Sequence, residues 1–299
     1  TAGQVVVTPG AIAALYGTVM ALCNAGDEIL VSDPAWPNYS MLAGLQEVGV
    51  TRYPMRPENG MQPKAEDIEP LITDRTKILL INSPCNPTGT VIDRDHLKEL
   101  LQLAEEHDLW VISDEVYDEM TFDSVPVVSP TTLGVAERII SVFSLSKTYA
   151  MTGWRVGYAA APPELTPFLI KTQEPVTACV NAPAQKAAVA ALTGPQDCVE
   201  EMRAAYESRR DGVIRILETA GVPYVRPSGA FYIWIDISNS GKRATDFAWA
   251  LLEEHHVAVT PGGAFGPASD GFVRVSLASA AELLNEGTSR LVAALTAAG

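Results

Sequence analysis

The 299-residue sequence predicts an α/β fold, a mostly parallel, helix-covered sheet followed by a smaller C-terminal α+β unit. Through about residue 160, short β-rich apolar runs alternate with helical patterns, the mark of a parallel sheet with helices on its faces. Polar, chemistry-bearing strings fall at the ends of those runs, where open α/β sheets bind ligands. From Pro162 the character changes to long helical stretches and then to a short α+β pattern. The expected division is residues 1–206 and 207–299.

Gln4 to Thr8 reads as a strand, Pro9 and Gly10 as a turn, and the apolar-periodic stretch to about Cys23 as a helix. The first N–H groups of that helix are free and its N-terminus is partly positive, which suits a phosphate. Glu28 to Ser32 is a strand. The loop after it, Asp33 to Tyr39, is stiffened by Pro34 and Pro37. Trp36 in this loop is either a structural indole or a ring stacked on a ligand. A helix over Tyr39–Val48, a strand over Thr51–Met55 and a short helix over Lys64–Ile72 follow.

Lys77 to Asn82 is an apolar strand ending in Ser83, Pro84, Cys85, Asn86, Pro87, Thr88 and Gly89. The prolines and glycine tighten this turn and place Asn86 at a strand end. Asp93 caps a helix to about His107. Leu109 to Ser113 is the next strand, with Asp114, Glu115 and Tyr117 at its end. Asp114 is either a helix cap or a carboxylate facing a protonated ring nitrogen.

Ile139 to Phe143 leads into Ser144, Leu145, Ser146 and Lys147, and Val156 to Ala161 leads out. The expected form is strand, polar loop, strand, with Lys147 at the tip. Lys147 is either a solvated surface lysine or an amine in a dry pocket, with a lowered pKa and the capacity to form a Schiff base. Helices are expected near 163–173, 183–193 and 196–220. Strands follow at Tyr224–Val225, Ala230–Ile237 and Phe272–Leu277, with helices at Ala244–Glu254 and Ala280–Ala297. Arg274 stands alone in the apolar strand from Gly271 to Leu277. A buried arginine there needs an anion, and its planar fork matches a carboxylate.

Composition narrows the function. The net charge of −15 and pI near 4.7 argue against nucleic acid as a partner. No apolar run is long enough for a membrane span. Cys23, Cys85, Cys179 and Cys198 are scattered and read as reduced cytoplasmic thiols. His96, His107, His255 and His256 lack metal-ligand spacing, so no metal is expected. No Gly-x-Gly-x-x-Gly follows a strand, so no dinucleotide site is marked.

The string from Ser144 to Tyr158, with Lys147, Met151, Thr152, Gly153, Trp154, Arg155 and Gly157, resembles the cofactor-lysine signature of the fold-type I, class I/II pyridoxal-phosphate (PLP) aminotransferases. The loop from Asp33 to Tyr39, the Asn86-Pro87-Thr88-Gly89 turn, Asp114 with Tyr117, and the Arg274 strand resemble the same family in the same order. The resemblance implies that Lys147 holds PLP as a Schiff base and shuttles the α-proton. It implies that Asp114 pairs with the pyridinium, Asn86 and Tyr117 bond the ring oxygen, and Trp36 stacks on the ring. It gives the phosphate to Ser144, Arg155, Gly10 and the amides of Ala11 and Ile12, and the substrate carboxylate to Arg274 and Asn86. The glycine-rich turns at Ser228–Tyr232 and Pro261–Gly266 resemble segments bordering the substrate.

The implied activity is ping-pong transfer of an amino group between an L-amino acid and a 2-oxo acid, by a homodimer. A lyase or decarboxylase on the same fold, or a PLP-binding fragment without activity, is the alternative. One aspartate-specific subgroup carries a lysine two residues after the phosphate-turn glycine, where this chain has Ile12. The resemblance also implies a segment before the phosphate turn that lends a tyrosine to the partner's site, and these residues do not contain it. Ser144-x-x-Lys147 also matches an acyl-enzyme nucleophile string, but the Ser-Asp-Asn and Lys-Thr-Gly partners of that motif are missing from the sequence.

Overall fold

The computed structural model describes residues 1–134 and 136–297. The described residues hold eleven strands and ten α-helices in chain order. They begin with β1 (Val5–Thr8), α1 (Ala11–Leu22), β2 (Glu28–Asp33), α2 (Asn38–Gly44), β3 (Gly49–Pro54) and α3 (Ala65–Ile68). Next come β4 (Thr76–Asn82), α4 (Arg94–Glu106), β5 (Trp110–Asp114), β6 (Ile139–Ser144), α5 (Leu145–Thr148) and β7 (Gly157–Ala160). Then α6 (Thr166–Thr177), α7 (Ala182–Thr193), α8 (Asp197–Thr219), β8 (Tyr224–Val225) and β9 (Tyr232–Asp236) lead to α9 (Ala244–His255), β10 (Thr260–Pro261), β11 (Phe272–Ser276) and α10 (Ala281–Ala297).

The expected α/β class holds. The first sheet has seven strands in the order β1-β7-β6-β5-β4-β2-β3. Strands β3, β2, β4, β5 and β6 run parallel, while β7 is antiparallel to both its neighbours. Strand β7 returns antiparallel to β6 after residues 145–156, which hold α5. Apolar residues on alternate positions feed both faces. Ile29, Val31, Leu80 and Ile112 pack on one side with Leu15 of α1, and Leu30, Leu79, Ile81 and Val111 on the other with Leu97 and Leu100 of α4. Burial of both faces is why these strands read as unbroken apolar runs.

The second sheet has four antiparallel strands in the order β10-β11-β9-β8. Its core joins Ile233, Ile235 and Val273 to Val213 and Leu217 of α8, Phe247 of α9 and Leu291 of α10. Helix α8 runs unbroken from beside the first sheet into this core.

A main-chain seam fastens the two sheets. The Gly89 carbonyl accepts from Ser228 N and Gly229 N, both at 2.8 Å, and Ala230 N donates to Met120 O at 2.8 Å. Gly89 has φ +73°, and a Cβ there would lie 2.4 Å from Pro227 Cβ, so the closeness of this seam requires a glycine. The seam brings β9, and β11 paired to it, against the turn after β4.

Candidate active site

A cavity of about 480 Å³ opens at the C-terminal ends of β4, β5 and β6, between the two sheets. Lys147, Asp114, Tyr117 and Asn86 line it. So do Trp36, Ser144, Arg155, Ala11, Ile12 and Arg274. Gly10 is not on its wall but lies against Arg155: a Cβ on Gly10 would come within 2.5 Å of Nη2. Every candidate from the sequence therefore lies at one place, although the chain separates the first from the last by most of its length.

The lysine differs from expectation in its local setting. Lys147 lies in the single helical turn α5, not in an open loop. Ser144 caps that turn by accepting from Ser146 N at 3.1 Å, which frees this polar string to coil. Nζ of Lys147 lies 5.4 Å from the Phe231 ring centre and 5.9 Å from that of Tyr117. Burial lowers its pKa, the positive charge of Arg274 lowers it further, and Asp114 opposes both.

Asp114 ends β5 and is almost wholly buried. Its carboxylate accepts from Tyr39 Oη at 2.6 Å and from Val116 N at 3.4 Å. Burial pushes its pKa up to about 6, against the pull of the Tyr39 hydrogen bond and the Lys147 charge. Burial holds the Tyr39 hydroxyl well above its ordinary pKa, so it remains a donor. A buried carboxylate of this kind is stabilised by a cation.

At the other wall, Arg274 Nη1 donates to Asn86 Oδ1 at 2.7 Å and Nη2 to Thr260 Oγ1 at 3.3 Å. Its guanidinium lies over Tyr232 and Phe265, 4.3 and 4.9 Å from the ring centres. Its Nε is buried and finds no acceptor among the described residues. Arg274 lines the cavity, and a guanidinium there suits an anion. Tyr117 Oη lies 3.1 Å from Tyr232 Oη. Near the start of α1, Arg155 donates to Thr152 O at 2.8 Å and to Pro9 O at 3.4 Å, which holds its charge beside the helix N-terminus.

Among the lining residues that the sequence did not single out as site groups are Tyr39, Asn82 and Tyr232. Tyr39 sits three positions after Trp36, and the two rings meet edge to face at 5.5 Å. Asn82 is a polar residue closing an apolar strand. Tyr232 closes the turn from Ser228, a segment expected to border the substrate.

The profile of the class I and II aminotransferases matches residues 1–291. An arginine–pyruvate transaminase of Pseudomonas aeruginosa is 42% identical over 295 residues, covering 97% of this chain and 74% of that protein. An aspartate aminotransferase of Pyrococcus abyssi is 41% identical over 294 residues, with 96% and 75% covered. The crystal structure of an aromatic aminotransferase from Pyrococcus horikoshii superposes with a TM-score of 0.95 at 38% identity, covering 98% of this chain and 80% of that one. The chain belongs to the class I and II aminotransferases. It is a pyridoxal-phosphate-dependent transferase that moves amino groups between amino acids and 2-oxo acids.

The residues present fit pyridoxal phosphate on the structure's own terms. The buried Asp114 carboxylate suits a pyridinium, and the amine of Lys147 has a lowered pKa. Arg155, fixed beside the first turn of α1, suits a phosphate.

Proposed function

We propose that the cavity between the sheets is the transamination site, with each lining group in a definite task. The reading is carried by one observation: a depressed-pKa amine, a buried carboxylate and an arginine with an orphaned Nε line the same cavity. When bound, pyridoxal phosphate supplies an electron-poor ring that takes up the negative charge left when the substrate's α-proton departs.

Lys147 Nζ would hold the cofactor and serve as the group that takes and returns the α-proton. Its lowered pKa keeps a share of the amine neutral, as a base requires. Asp114 would favour a protonated ring nitrogen, and Tyr39 orients that carboxylate. Asn86 and Tyr117 would bond the ring oxygen, Trp36 would lie against the ring, and Ser144, Arg155 and the Ala11 and Ile12 amides would hold the phosphate. Arg274, which lines the cavity beside Asn86, would take the substrate carboxylate. In this reading residues 1–206 form the cofactor domain and 207–299 the smaller domain that supplies Arg274.

Among the described residues, Lys147, Arg155 and Arg274 are the cations lining the cavity. All three have a proposed task, which leaves a second substrate carboxylate without a cation from this chain. A homodimer is supported by an apolar cleft of about 310 Å³ beside the site, lined by Ile12, Tyr16 and Leu42 with the exposed Met41, Leu45 and Val176. Sedimentation of the purified chain tests it. The described residues contain no helix long and apolar enough to cross a membrane. Free cysteines at all four positions support a reducing, cytoplasmic compartment.

The test of the function is absorbance of the purified chain with pyridoxal phosphate, followed through addition of single L-amino acids. Conversion of the lysine-bound band to that of the aminated cofactor, and its return on adding a 2-oxo acid, is expected. Continuous product release without any 2-oxo acid would overturn transamination in favour of a lyase.

A further inference from the structure

Asn82 closes β4 in register with Asp114 of β5. Its side chain is buried and reaches the cavity wall. Both ends of its carboxamide are used. Nδ2 donates to the Asp114 main-chain carbonyl at 2.9 Å, and Oδ1 accepts from Asn86 N at 2.8 Å. Asn86 Oδ1 then accepts from Arg274 Nη1 at 2.7 Å. One amide thus sits between the carboxylate at one wall of the cavity and the arginine at the other.

The local chain makes this amide hard to replace. Pro84 and Pro87 have no N–H to anchor the turn after β4. Cys85 N is committed to Thr90 O at 2.8 Å. The Asn86 N–H is the donor that ties the middle of the turn back to β4, and Asn82 Oδ1 is its acceptor. Without that acceptor a buried N–H loses its partner and Asn86 is free to shift.

We infer that Asn82 is a positioning residue for both halves of the reaction, fixing Asp114 through its carbonyl and the Asn86–Arg274 pair through the Asn86 main chain. This rests on the transamination reading of the cavity. Asn82 touches neither reacting atom; it acts through Asp114 and Asn86. Asn82→Ala removes both bonds. Asn82→Asp keeps the shape and the acceptor for Asn86 N, but cannot donate to the Asp114 carbonyl.

The experiment has three readouts. Hydrogen exchange of the turn peptide, measured without cofactor, is expected to speed up about tenfold in Asn82→Ala and to stay near wild type in Asn82→Asp. The dissociation constant of pyridoxal phosphate, from spectral titration, is expected to rise about tenfold in Asn82→Asp. KM for the amino donor is expected to rise about tenfold for Asn82→Ala in the wild-type background, but less than about twofold in an Asn86→Ala background. Equal KM effects in both backgrounds would mean a structural role alone and overturn the inference. So would unchanged exchange in Asn82→Ala. Should Asn82→Ala fail to fold, an unchanged cofactor affinity in the isosteric Asn82→Asp overturns it equally. A wild-type chain that fails to transaminate, yet shows the exchange difference, refutes the transamination reading and keeps the Asn82–Asn86 link.

Discussion

The two walls of the cavity are built by different means. On the first sheet, Lys147 and Asp114 sit at or just past the C-terminal ends of neighbouring parallel strands. Their spacing follows from strand register, and each is embedded in a sheet buried on both faces. Arg274, by contrast, lies within an antiparallel strand of the second sheet. Its partners, Asn86, Thr260, Tyr232 and Phe265, come from four other segments, and one of them belongs to the opposite sheet. The first wall is fixed before anything binds. The second depends on the seam at Gly89 and Ser228 and leaves a guanidinium donor unused. We propose a division of labour on this contrast: the first wall would hold the cofactor and the second would read the substrate.

The largest test of that division is Lys147→Ala. Loss of the group that carries the proton should lower turnover by about four orders of magnitude. The variant should remain folded, and borohydride reduction followed by mass spectrometry should find no cofactor adduct on any lysine. An adduct elsewhere would break the assignment of the first wall. Next is Arg274→Gln, which keeps a donor and removes the charge and fork. KM for the amino donor should rise about a hundredfold, the scale of losing charge-assisted hydrogen bonds to a carboxylate. Cofactor affinity should stay close to wild type. A variant that loses pyridoxal phosphate instead would merge the two walls into one.

The contrast also explains what is legible in the sequence. Groups at parallel strand ends announce themselves, because an apolar run stops and a polar string begins: Asn86, Asp114 and Lys147 are all marked this way. Arg274 is marked by its isolation in an apolar strand. Tyr39 is not marked, because its partner Asp114 is 75 residues away and no local pattern relates the two. Asn82 reads only as the last residue of a strand, since the pairing that carries its side chain to Asp114 exists only once β4 lies beside β5. The antiparallel course of β7 and the two-residue β10 are also illegible. Helix α2 ends at Gly44, short of the expected Val48, and Glu47 beyond it takes φ +57°. Helical periodicity outlasts the helix there because Val48 is buried from a non-helical position.

The Asp114 carboxylate gives a stability test of the first wall without cofactor. Burial raises its pKa from 3.8 in the unfolded chain to about 6 in the fold. Between those values the folded state holds the proton that the unfolded state has released. Folding stability from this group is therefore full below about pH 4 and is lost as pH rises through about 6. A carboxamide at this position would not titrate, so the Asp114→Asn variant should gain stability relative to wild type across that window, by on the order of 3 kcal/mol. Denaturant melts of both proteins from pH 4 to 7.5 measure the difference. A gap that does not change with pH would mean that Asp114 is ionised in the fold throughout and that a cation already meets it.

Tyr39→Phe is the finest probe, because it changes the carboxylate without removing it. The Tyr39 hydroxyl donates to the ionised form of Asp114 and so pulls its pKa down. Removing that bond should move the pKa above about 6 and narrow the pH range in which an ion pair with the ring nitrogen forms. Thermal stabilisation by added pyridoxal phosphate should then require higher pH in Tyr39→Phe than in wild type. At pH 7 cofactor affinity should fall about tenfold, the scale of one hydrogen bond to a charged group. KM for the amino donor should change little once the variant is saturated with cofactor, because Arg274 and Asn86 are untouched. A tyrosine that merely fills space beside Trp36 would lower stability at every pH alike and leave the pH midpoint where it was. The shift of that midpoint separates a group that tunes Asp114 from one that only packs against it.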